Sequence, residues 1–327
     1  MRLDWSVLDI DVPSEVERIC SSLRECVATV LHRRGVVVAI SGGVDSAVCA
    51  ALAVRALGPE RVVVLMLPER ESSPESTPRA RSLAAHLGVQ PIEQDIAPAL
   101  DAIGCYRWRD GAVRRVLPAF QADWRMKIAV AGGLEGGINR FNLVAQSPDG
   151  ALHQARLGLR EFLQIVAATS FKQRIRKTIE YFHADRLHYA VIGTPNRLEY
   201  DQGFFVKNGD GAADVKPIAH LYKSQVYAIA QHLQLPTEIA RADPTTDTYS
   251  LAQSQDEFYF ALPYRQMDLA LWALNQGIDA RYLAEALNMS VVKAAHVYDD
   301  IRAKRRTTRY LHARPVLIGS VPEIDVT

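Results

Sequence analysis

The sequence has few cysteines and no cysteine pair of the kind that binds a metal. Its 327 residues include four cysteines, Cys20, Cys26, Cys49 and Cys105, and no two of them form a CxxC motif. A structural zinc cage or a paired-thiol redox site is therefore not expected. So few cysteines in a chain of this length are typical of a protein of the reducing cytosol, and we predict a cytoplasmic location.

Long apolar runs and an excess of charge of one sign are also missing. The longest apolar stretches, such as 50–54 and 62–67, are too short to cross a bilayer, and the amino-terminal residues contain no recognisable secretory signal. The 38 Lys and Arg residues nearly balance the 37 Asp and Glu residues, so no global basic field is present to hold a long nucleic acid. We therefore expect neither a membrane nor a nucleic acid as a partner, and an anionic ligand must be held by a local site.

Strands and helices alternate along much of the chain. The run VVVAI at 36–40 is β-branched without polar alternation, which is typical of a strand buried on both faces of a parallel sheet. Helices are predicted over about 14–33, from the capping-box spacing of Ser14 and Glu17, and over 46–57, ending at Gly58. Further strands are predicted at 62–67, 91–96 and 189–193, and a long helix over 161–184. This order predicts an α/β fold with a doubly wound parallel sheet flanked by helices.

Two regions depart from this alternation. Between 104 and 160, glycines, prolines and arginines interrupt the pattern, and we interpret this stretch as an insertion. From about 262 onward the chain is predicted to be helical, with two short helices around Asn288. We therefore expect an α/β domain over 1–260, with its insertion at about 104–160, and a helical C-terminal extension over 261–327.

A glycine-rich hexapeptide, SGGVDS, follows the first buried strand and opens the next helix. At such a place, unpaired backbone N–H groups and the positive end of the helix dipole face a ligand above the sheet. Gly42 and Gly43 let the main chain approach an anion closely, and Ser41 and Ser46 add hydroxyl donors. Asp45 places a carboxylate beside the phosphates, an arrangement that favours a divalent cation between them. The hexapeptide predicts a phosphate site that is neither a Walker loop nor a GxGxxG loop.

The hexapeptide resembles the PP-loop of the N-type ATP pyrophosphatases, which cleave ATP between its α and β phosphates and adenylate a substrate. Within that superfamily, later motifs resemble those of the ammonia-dependent NAD synthetases, amide ligases that convert nicotinic acid adenine dinucleotide to NAD. These motifs are GTPNRLE at 193–199, FFVKNGDGAAD at 204–214, the lysine of HLYK at 223, and PTTD at 244–247. The resemblance runs over about 36–103 and 161–260, which is more than half of the chain.

The resemblance implies three overlapping sets of site residues. The residues expected to bind ATP are Ser41, Gly42, Gly43, Asp45, Ser46, Thr194, Lys223 and Thr246. Those expected to bind the acceptor are Arg174, Lys207, Asp210 and Asp214, and the expected catalytic residues are Asp45, Lys207, Asp210 and Lys223. Asp45 and Glu199 are the expected ligands of Mg²⁺. Lys207 and Lys223 would neutralise the leaving pyrophosphate, whose charge grows as the bond breaks.

The resemblance also implies a two-step reaction and its partners. The substrate carboxylate would attack the α-phosphorus of Mg-ATP to give an acyl adenylate and pyrophosphate, and ammonia would then displace AMP. No glutaminase domain is evident, so ammonia is the expected nitrogen donor, either free or delivered by a separate glutaminase. The family is homodimeric, with substrate sites at the interface, and a homodimer is therefore expected.

Other interpretations remain open. A relative of the NAD synthetases could amidate a different carboxylate, and PP-loop enzymes that modify tRNA share the adenylation chemistry. The spacing of the hydrophobic residues over 282–306 is compatible with a helix-turn-helix motif followed by basic residues, although pairs of short helices more often only pack against the rest of a protein. The arginines and tryptophans of 104–160, among them Trp108 and Arg109, could grip a second nucleotide, cover the site as a lid or support oligomerisation.

Overall fold

The structure, a computed structural model, describes residues 3–131, 140–241, 249–251, 259–260, 262–319 and 321–323. Within these residues the strands form two sheets. They are β1 (Val36–Ala39), β2 (Val62–Met66), β3 (Ile92–Glu93), β4 (Arg125–Ala131), β5 (Arg140–Gln146), β6 (Leu152–Arg156) and β7 (Ala190–Val191). The first sheet is parallel with the order β3-β2-β1-β7, and the second is antiparallel with the order β4-β5-β6.

Helices connect the strands and follow them. They are α1 (Val12–Glu25), α2 (Val44–Leu57), α3 (Ser76–His86), α4 (Ala97–Ile103), α5 (Cys105–Val116), α6 (Leu159–Leu187), α7 (Arg197–Gln202), α8 (Lys223–His232), α9 (Thr237–Ala240), α10 (Tyr264–Asn275), α11 (Ala280–Ala286) and α12 (Val291–His312). The predicted capping box at Ser14 is wrong, because the Asp11 side chain caps α1 by accepting a hydrogen bond from Ser14 N at 3.2 Å. Every helix among the described residues is too short or too polar to cross a bilayer.

Both faces of the parallel sheet are covered by helices, which confirms the predicted doubly wound fold. Val36 and Val38 point to one face, where they join a core with residues of α1, α2 and α8. Val37 and Leu65 point to the other face and pack against residues of α4 and α6. Burial of each such side chain contributes about 2 kcal/mol, which explains why the apolar run without polar alternation forms this strand.

Helix α6 has 29 residues and is longer than the strands of the parallel sheet beside it. At its carboxyl end, His188 O accepts a hydrogen bond from Arg34 N, just before β1 begins. Near its middle, Arg176 Nε donates to Leu67 O at 3.1 Å, just after β2 ends. The part of α6 that precedes Arg176 therefore projects beyond the carboxyl edge of the parallel sheet.

The insertion forms a small unit on this projecting part of α6. It consists of α5 and the antiparallel sheet, and its core combines Met126 and Ile128 of β4, Leu143 of β5 and Ile165 of α6. Along β4 the side chains of 125–128 alternate between the solvent-facing and the buried side, as expected for a sheet with one covered face. The segment 249–251 is attached to the same strand, because Met126 N donates to Ser250 Oγ at 2.9 Å.

The C-terminal helices pack on the amino terminus and on α7. Their core includes Leu271 of α10 and Val297 of α12, together with Leu8 and Leu198. The prediction of two short helices around Asn288 is wrong for the second helix, since α12 has 22 residues. Because Leu198 precedes Glu199, the C-terminal helices support an element that carries a predicted site residue. The division of the chain at residue 260 stays a prediction.

Candidate functional site

A cavity of about 560 Å³ opens at the carboxyl edge of the parallel sheet. Ligands of doubly wound proteins bind at this edge, where the loops that follow the strands meet. The cavity brings together most of the predicted site residues: Ser41, Gly42, Gly43, Asp45, Ser46, Thr194, Glu199, Asp210 and Lys223. The remaining predicted residue of the ATP set, Thr246, lies outside the described residues, as does the rest of the PTTD motif.

The glycine loop has the conformation of an anion site. Gly42 has a φ of +84°, and a Cβ atom there would lie 2.7 Å from Ser76 O, so the position accepts only glycine. Gly43 is the N-cap of α2 and has no side chain that could bond to the first N–H groups of the helix. Ser46 Oγ accepts from Ser41 N at 3.2 Å and donates to Gly43 O at 3.0 Å, which closes the loop on itself. The first N–H groups of α2 are therefore available to bind a ligand.

A buried ion pair stands beside the loop. Lys223 Nζ, at the start of α8, donates a hydrogen bond to Asp45 Oδ2, in the first turn of α2. The second carboxylate oxygen of Asp45 accepts a hydrogen bond from Asn196 Nδ2 at 3.1 Å. Burial alone would lower the pKa of the Lys223 amine, but the Asp45 and Glu199 carboxylates outweigh it and raise that pKa. Lys223 therefore remains a cation at the edge of the phosphate loop.

Glu199 is held close to Asp45 by Asn196. The Asn196 side chain accepts from Glu199 N at 3.3 Å, and Glu199 Oε2 accepts from Asn196 N at 3.1 Å, which together form a capping box at the start of α7. Burial and the neighbouring Asp45 carboxylate raise the pKa of Glu199 to about 8. No role was predicted for Asn196, although its spacing from Glu199 is that of a capping box.

A second buried carboxylate, which we did not identify from the sequence, fixes the start of α8. Asp268 of α10 accepts hydrogen bonds from Lys223 N at 3.1 Å and from Ser224 N at 2.7 Å, and its side chain is fully buried. Burial raises the pKa of Asp268 to about 6, although the bonds to these amides oppose the shift. The C-terminal helices thereby orient Lys223, the residue that pairs with Asp45. No local motif identifies Asp268, because its partners lie 44 and 45 residues earlier.

The far side of the cavity carries further charge. Asp210 Oδ1 accepts a hydrogen bond from Val206 N at 2.7 Å, and burial raises the pKa of Asp210. Lys177 and Glu180 of α6 form a buried ion pair of 2.7 Å and also line the cavity. This pair was not predicted, although its i,i+3 spacing is that of a helical ion pair.

Three predicted acceptor-binding residues lie outside the cavity lining. Lys207 Nζ donates to Tyr310 O at 2.9 Å and to Ala313 O at 3.0 Å, so its ammonium group binds the carboxyl end of α12. The expectation that Lys207 and Lys223 meet at one phosphate site is therefore corrected. Arg174 Nε donates to Lys207 O at 3.3 Å. Asp214 accepts from Val191 N at 2.7 Å, which separates it from Asp210.

The charged residues of the insertion and of α12 are largely engaged within the protein. Arg109 is buried, donates to Asp110 Oδ1 and Glu71 Oε1, and so supports the loop after β2 instead of gripping a nucleotide. Although burial opposes the shift, Lys172 and Arg109 lower the pKa of Glu71 to about 2. Arg305 donates to both carboxylate oxygens of Asp201, at 2.6 and 2.7 Å.

A glycine loop at a helix N-terminus, beside a buried lysine–carboxylate pair at the edge of a parallel sheet, defines a phosphate-binding α/β protein. The model of the NAD synthase family matches residues 15–136 and 142–309, and the chain belongs to this family. The predicted family is thereby confirmed.

Individual relatives agree with this membership. The NH(3)-dependent NAD(+) synthetase of Rhizobium meliloti (strain 1021) is 54% identical over 319 residues, which cover 97% of this chain and 95% of the relative. The structure of NMN synthetase from Francisella tularensis is similar with a TM-score of 0.66 and 21% identity, covering 94% of this chain and 99% of that one. The NH3-dependent NAD synthetase from Campylobacter jejuni subsp. jejuni NCTC 11168 has a TM-score of 0.61 and 22% identity, covering 95% and 100%. These two structures share the fold.

The ion pair between Asp45 and Lys223 gives a first prediction. Asp45→Asn should destabilise the protein by about 3–5 kcal/mol, because it leaves the buried Lys223 ammonium without its partner. Lys223→Met should cost less, because the Asp45 carboxylate is only partly buried and keeps its hydrogen bond from Asn196 Nδ2. The double variant should lose clearly less than the sum of the two, as measured by urea unfolding followed by circular dichroism. Asp299→Asn, which breaks an exposed pair with Arg302, is the control and should cost less than about 1 kcal/mol. Additive effects of the two buried substitutions would contradict a direct interaction.

Glu199 gives a prediction about pH. Folded Glu199 keeps its proton up to a pKa of about 8, whereas the unfolded chain releases it near 4.5. The unfolded state therefore binds fewer protons between these values, and the free energy of unfolding should fall as the pH rises from about 4.5 to about 8.

Glu199→Gln should flatten this slope, measured as the free energy of unfolding between pH 5 and pH 9. Asp268, whose folded pKa is about 6, should leave a smaller slope at the acidic end in the variant. Glu60→Gln, at an exposed position, is the matched control and should keep the slope of the parent protein. A Glu199→Gln variant with the parent's slope would show that Glu199 is ionised in the fold.

Proposed function

We propose that this member of the NAD synthase family adenylates the carboxylate of nicotinic acid adenine dinucleotide with ATP and then replaces AMP with ammonia, giving NAD. The observation that carries the proposal is the meeting of the glycine loop with Asp45, Lys223 and Glu199 in one cavity. The relatives named NH(3)-dependent NAD(+) synthetases support the same substrates.

The adenylation step depends on the glycine loop and Lys223. The N–H groups at the start of α2 would bind the phosphates, with the helix dipole adding positive potential, while the Ser46 hydroxyl keeps the loop closed through its bonds to Ser41 N and Gly43 O. Lys223, held as a cation, would stabilise the charge that develops on the departing pyrophosphate. One donor placed in this way is typically worth about 10²- to 10³-fold in rate. To act on phosphate, the Lys223 amine must share its hydrogen bonds between Asp45 and the nucleotide.

Asp45 and Glu199 would hold Mg²⁺ with the phosphate oxygens. Among the described residues, no group of three or more His, Cys, Asp or Glu side chains is arranged for a metal, so the nucleotide would complete the ligand set. The donor chemistry fits, because the repulsion by Asp45 that raises the pKa of Glu199 would be relieved by a cation between the two carboxylates. Bound there, Mg²⁺ would neutralise part of the charge of the triphosphate.

The acceptor and the nitrogen donor are assigned to the Asp210 side of the cavity. Asp210 is the predicted acceptor residue that lines the cavity, and its buried carboxyl group would accept a proton as ammonium becomes the attacking ammonia.

We also propose a homodimer, supported by the exposed Leu159, Leu163 and Phe182 on α6. In a dimer, the exposed Arg174 of the same helix would reach the acceptor that is bound to the partner subunit. Sedimentation as a monomer at all concentrations would contradict the proposed dimer.

The proposed reaction is tested by incubating the protein with Mg-ATP, ammonium and nicotinic acid adenine dinucleotide. We expect AMP, pyrophosphate and NAD in equal amounts, identified by mass spectrometry, since one ATP is cleaved for each amide formed. Other carboxylates in place of the dinucleotide should give no AMP above background.

Three results would change the assignment. Turnover with another carboxylate alone would identify a relative with a different acceptor. AMP formation only in the presence of tRNA would favour an RNA-modifying enzyme, and turnover with glutamine but not with ammonium would overturn the nitrogen donor.

The metal role of Glu199 gives a separate prediction. Glu199→Gln should raise the Mg²⁺ concentration needed for half-maximal pyrophosphate release by roughly tenfold or more, because a charged ligand becomes a weak neutral one. Glu17→Gln, at an exposed position of α1, is the control and should titrate like the parent protein. Identical magnesium titrations for Glu199→Gln and the parent would reject Glu199 as a ligand.

A further inference from the structure

The insertion contributes an aromatic wall to the cavity. Phe141 of β5 stacks on Phe162 of α6, with ring centroids 3.9 Å apart and planes inclined by 19°. Both rings line the cavity and both are only partly buried in the core of the insertion, so part of their apolar surface faces the cavity. Val166 and Tyr249 border the same wall. The strand β5 therefore does more than cover α6, since it helps to shape the ligand site.

The wall lies far from the phosphate loop along the cavity. Residues 162, 166, 169, 173, 176 and 180 all line the cavity and recur at intervals of three and four, so they form one face of α6. Arg176 marks the level of the sheet edge through its hydrogen bond to Leu67 O. At 1.5 Å per residue, the helix rises roughly 20 Å from Arg176 to Phe162. The cavity thus extends from the charged site at the sheet edge to the aromatic wall.

The charged end and the aromatic end of the cavity are chemically suited to the two ends of a dinucleotide. The carboxylate that is adenylated must lie at the α-phosphorus of ATP, which places it near the glycine loop, Asp45 and Lys223. The far end of an extended dinucleotide then carries an adenine base away from the charged residues. Exposed aromatic rings bind bases by stacking, with an affinity that does not require hydrogen bonds to the base edge.

We propose that Phe141 and Phe162 form a stacking site for the adenine base of the dinucleotide acceptor. The proposal rests on the proposed function and adds to it the part of the acceptor that the insertion recognises. The insertion makes the protein prefer a dinucleotide over the corresponding mononucleotide, which lacks the adenosine half. Binding energy from this remote base holds the reacting carboxylate in place at the other end of the cavity.

The test compares two acceptors in two variants. Phe141→Leu and Phe162→Leu keep apolar bulk but lose the flat ring, and each should lower kcat/KM for nicotinic acid adenine dinucleotide by about tenfold. For nicotinic acid mononucleotide, kcat/KM should change by less than about twofold, because this acceptor has no adenine to stack. Leu152→Ala, at an exposed apolar residue of β6 outside the cavity lining, is the control and should match the parent protein with both acceptors.

Several outcomes would overturn the proposal. Equal losses with both acceptors would show that the wall only supports the fold, and an increase in the KM of ATP alone would assign the wall to the adenine of ATP. Unchanged kinetics with both acceptors would exclude any contact with a base.

Equilibrium binding keeps the proposal testable if the parent protein makes no NAD. Calorimetry with the dinucleotide in the absence of ATP measures the same contact without turnover. A parent protein that binds the dinucleotide about tenfold more tightly than Phe162→Leu would support the stacking site even if the proposed reaction failed, and equal Kd values would reject it.

Discussion

The site depends on one buried ion pair, between Asp45 and Lys223. It joins the first turns of α2 and α8, the two helices whose amino ends meet above the sheet. Taken out of water, such a pair offers little net stability, because the cost of desolvating both charges is close to their attraction. A lysine at the start of a helix also opposes the helix dipole. These costs are expected where the charges serve a polyanionic ligand, since the same lysine and carboxylate can then turn to phosphate and its cation.

The pair is oriented by two residues that are distant from each other in the chain, Asn196 and Asp268. Asn196 holds the Asp45 carboxylate and the Glu199 backbone, while Asp268 holds the two amides at the start of α8. Asp268 lies on α10, so the C-terminal helices contribute directly to the geometry of the phosphate site. The packing of Leu198 into the same C-terminal core fixes α7 in the same way. Rigid neighbours of this kind are what keep a buried charged site preorganised.

The sequence predicted the parts of this arrangement that are local. The apolar run at 36–40 and the glycines after it predict a buried strand followed by a glycine loop at a helix start, and the structure has both. That the loop binds phosphate stays a prediction. Lys223 and Glu199 were recognised through motifs; Lys223 has no local signal, and that of Glu199, its capping-box spacing from Asn196, was not used. Lys207 came from the same kind of motif, but its position depends on the end of α12, about one hundred residues later. Asp268 was missed because its partners are distant in sequence. The insertion sheet was missed for another reason: its strands pair with their neighbours in the chain, but glycines, prolines and arginines interrupt the hydrophobic pattern of this stretch.

In the proposed function, the reaction takes place at one end of the elongated cavity and the base of the acceptor binds at the other. Charged groups gather at the sheet edge, where strand ends and helix N-termini supply fixed dipoles, while apolar and aromatic groups gather where α6 leaves the sheet and meets the insertion. A single helix lines both ends, so a ligand bound at one end would be held in a defined position at the other. Interactions far from the reacting atoms can lower the barrier only if the connecting element is rigid, because a loose element would absorb the binding energy as motion. The long, continuous α6 meets this requirement, and the insertion core packed on its upper half keeps the helix ordered beyond the support of the sheet.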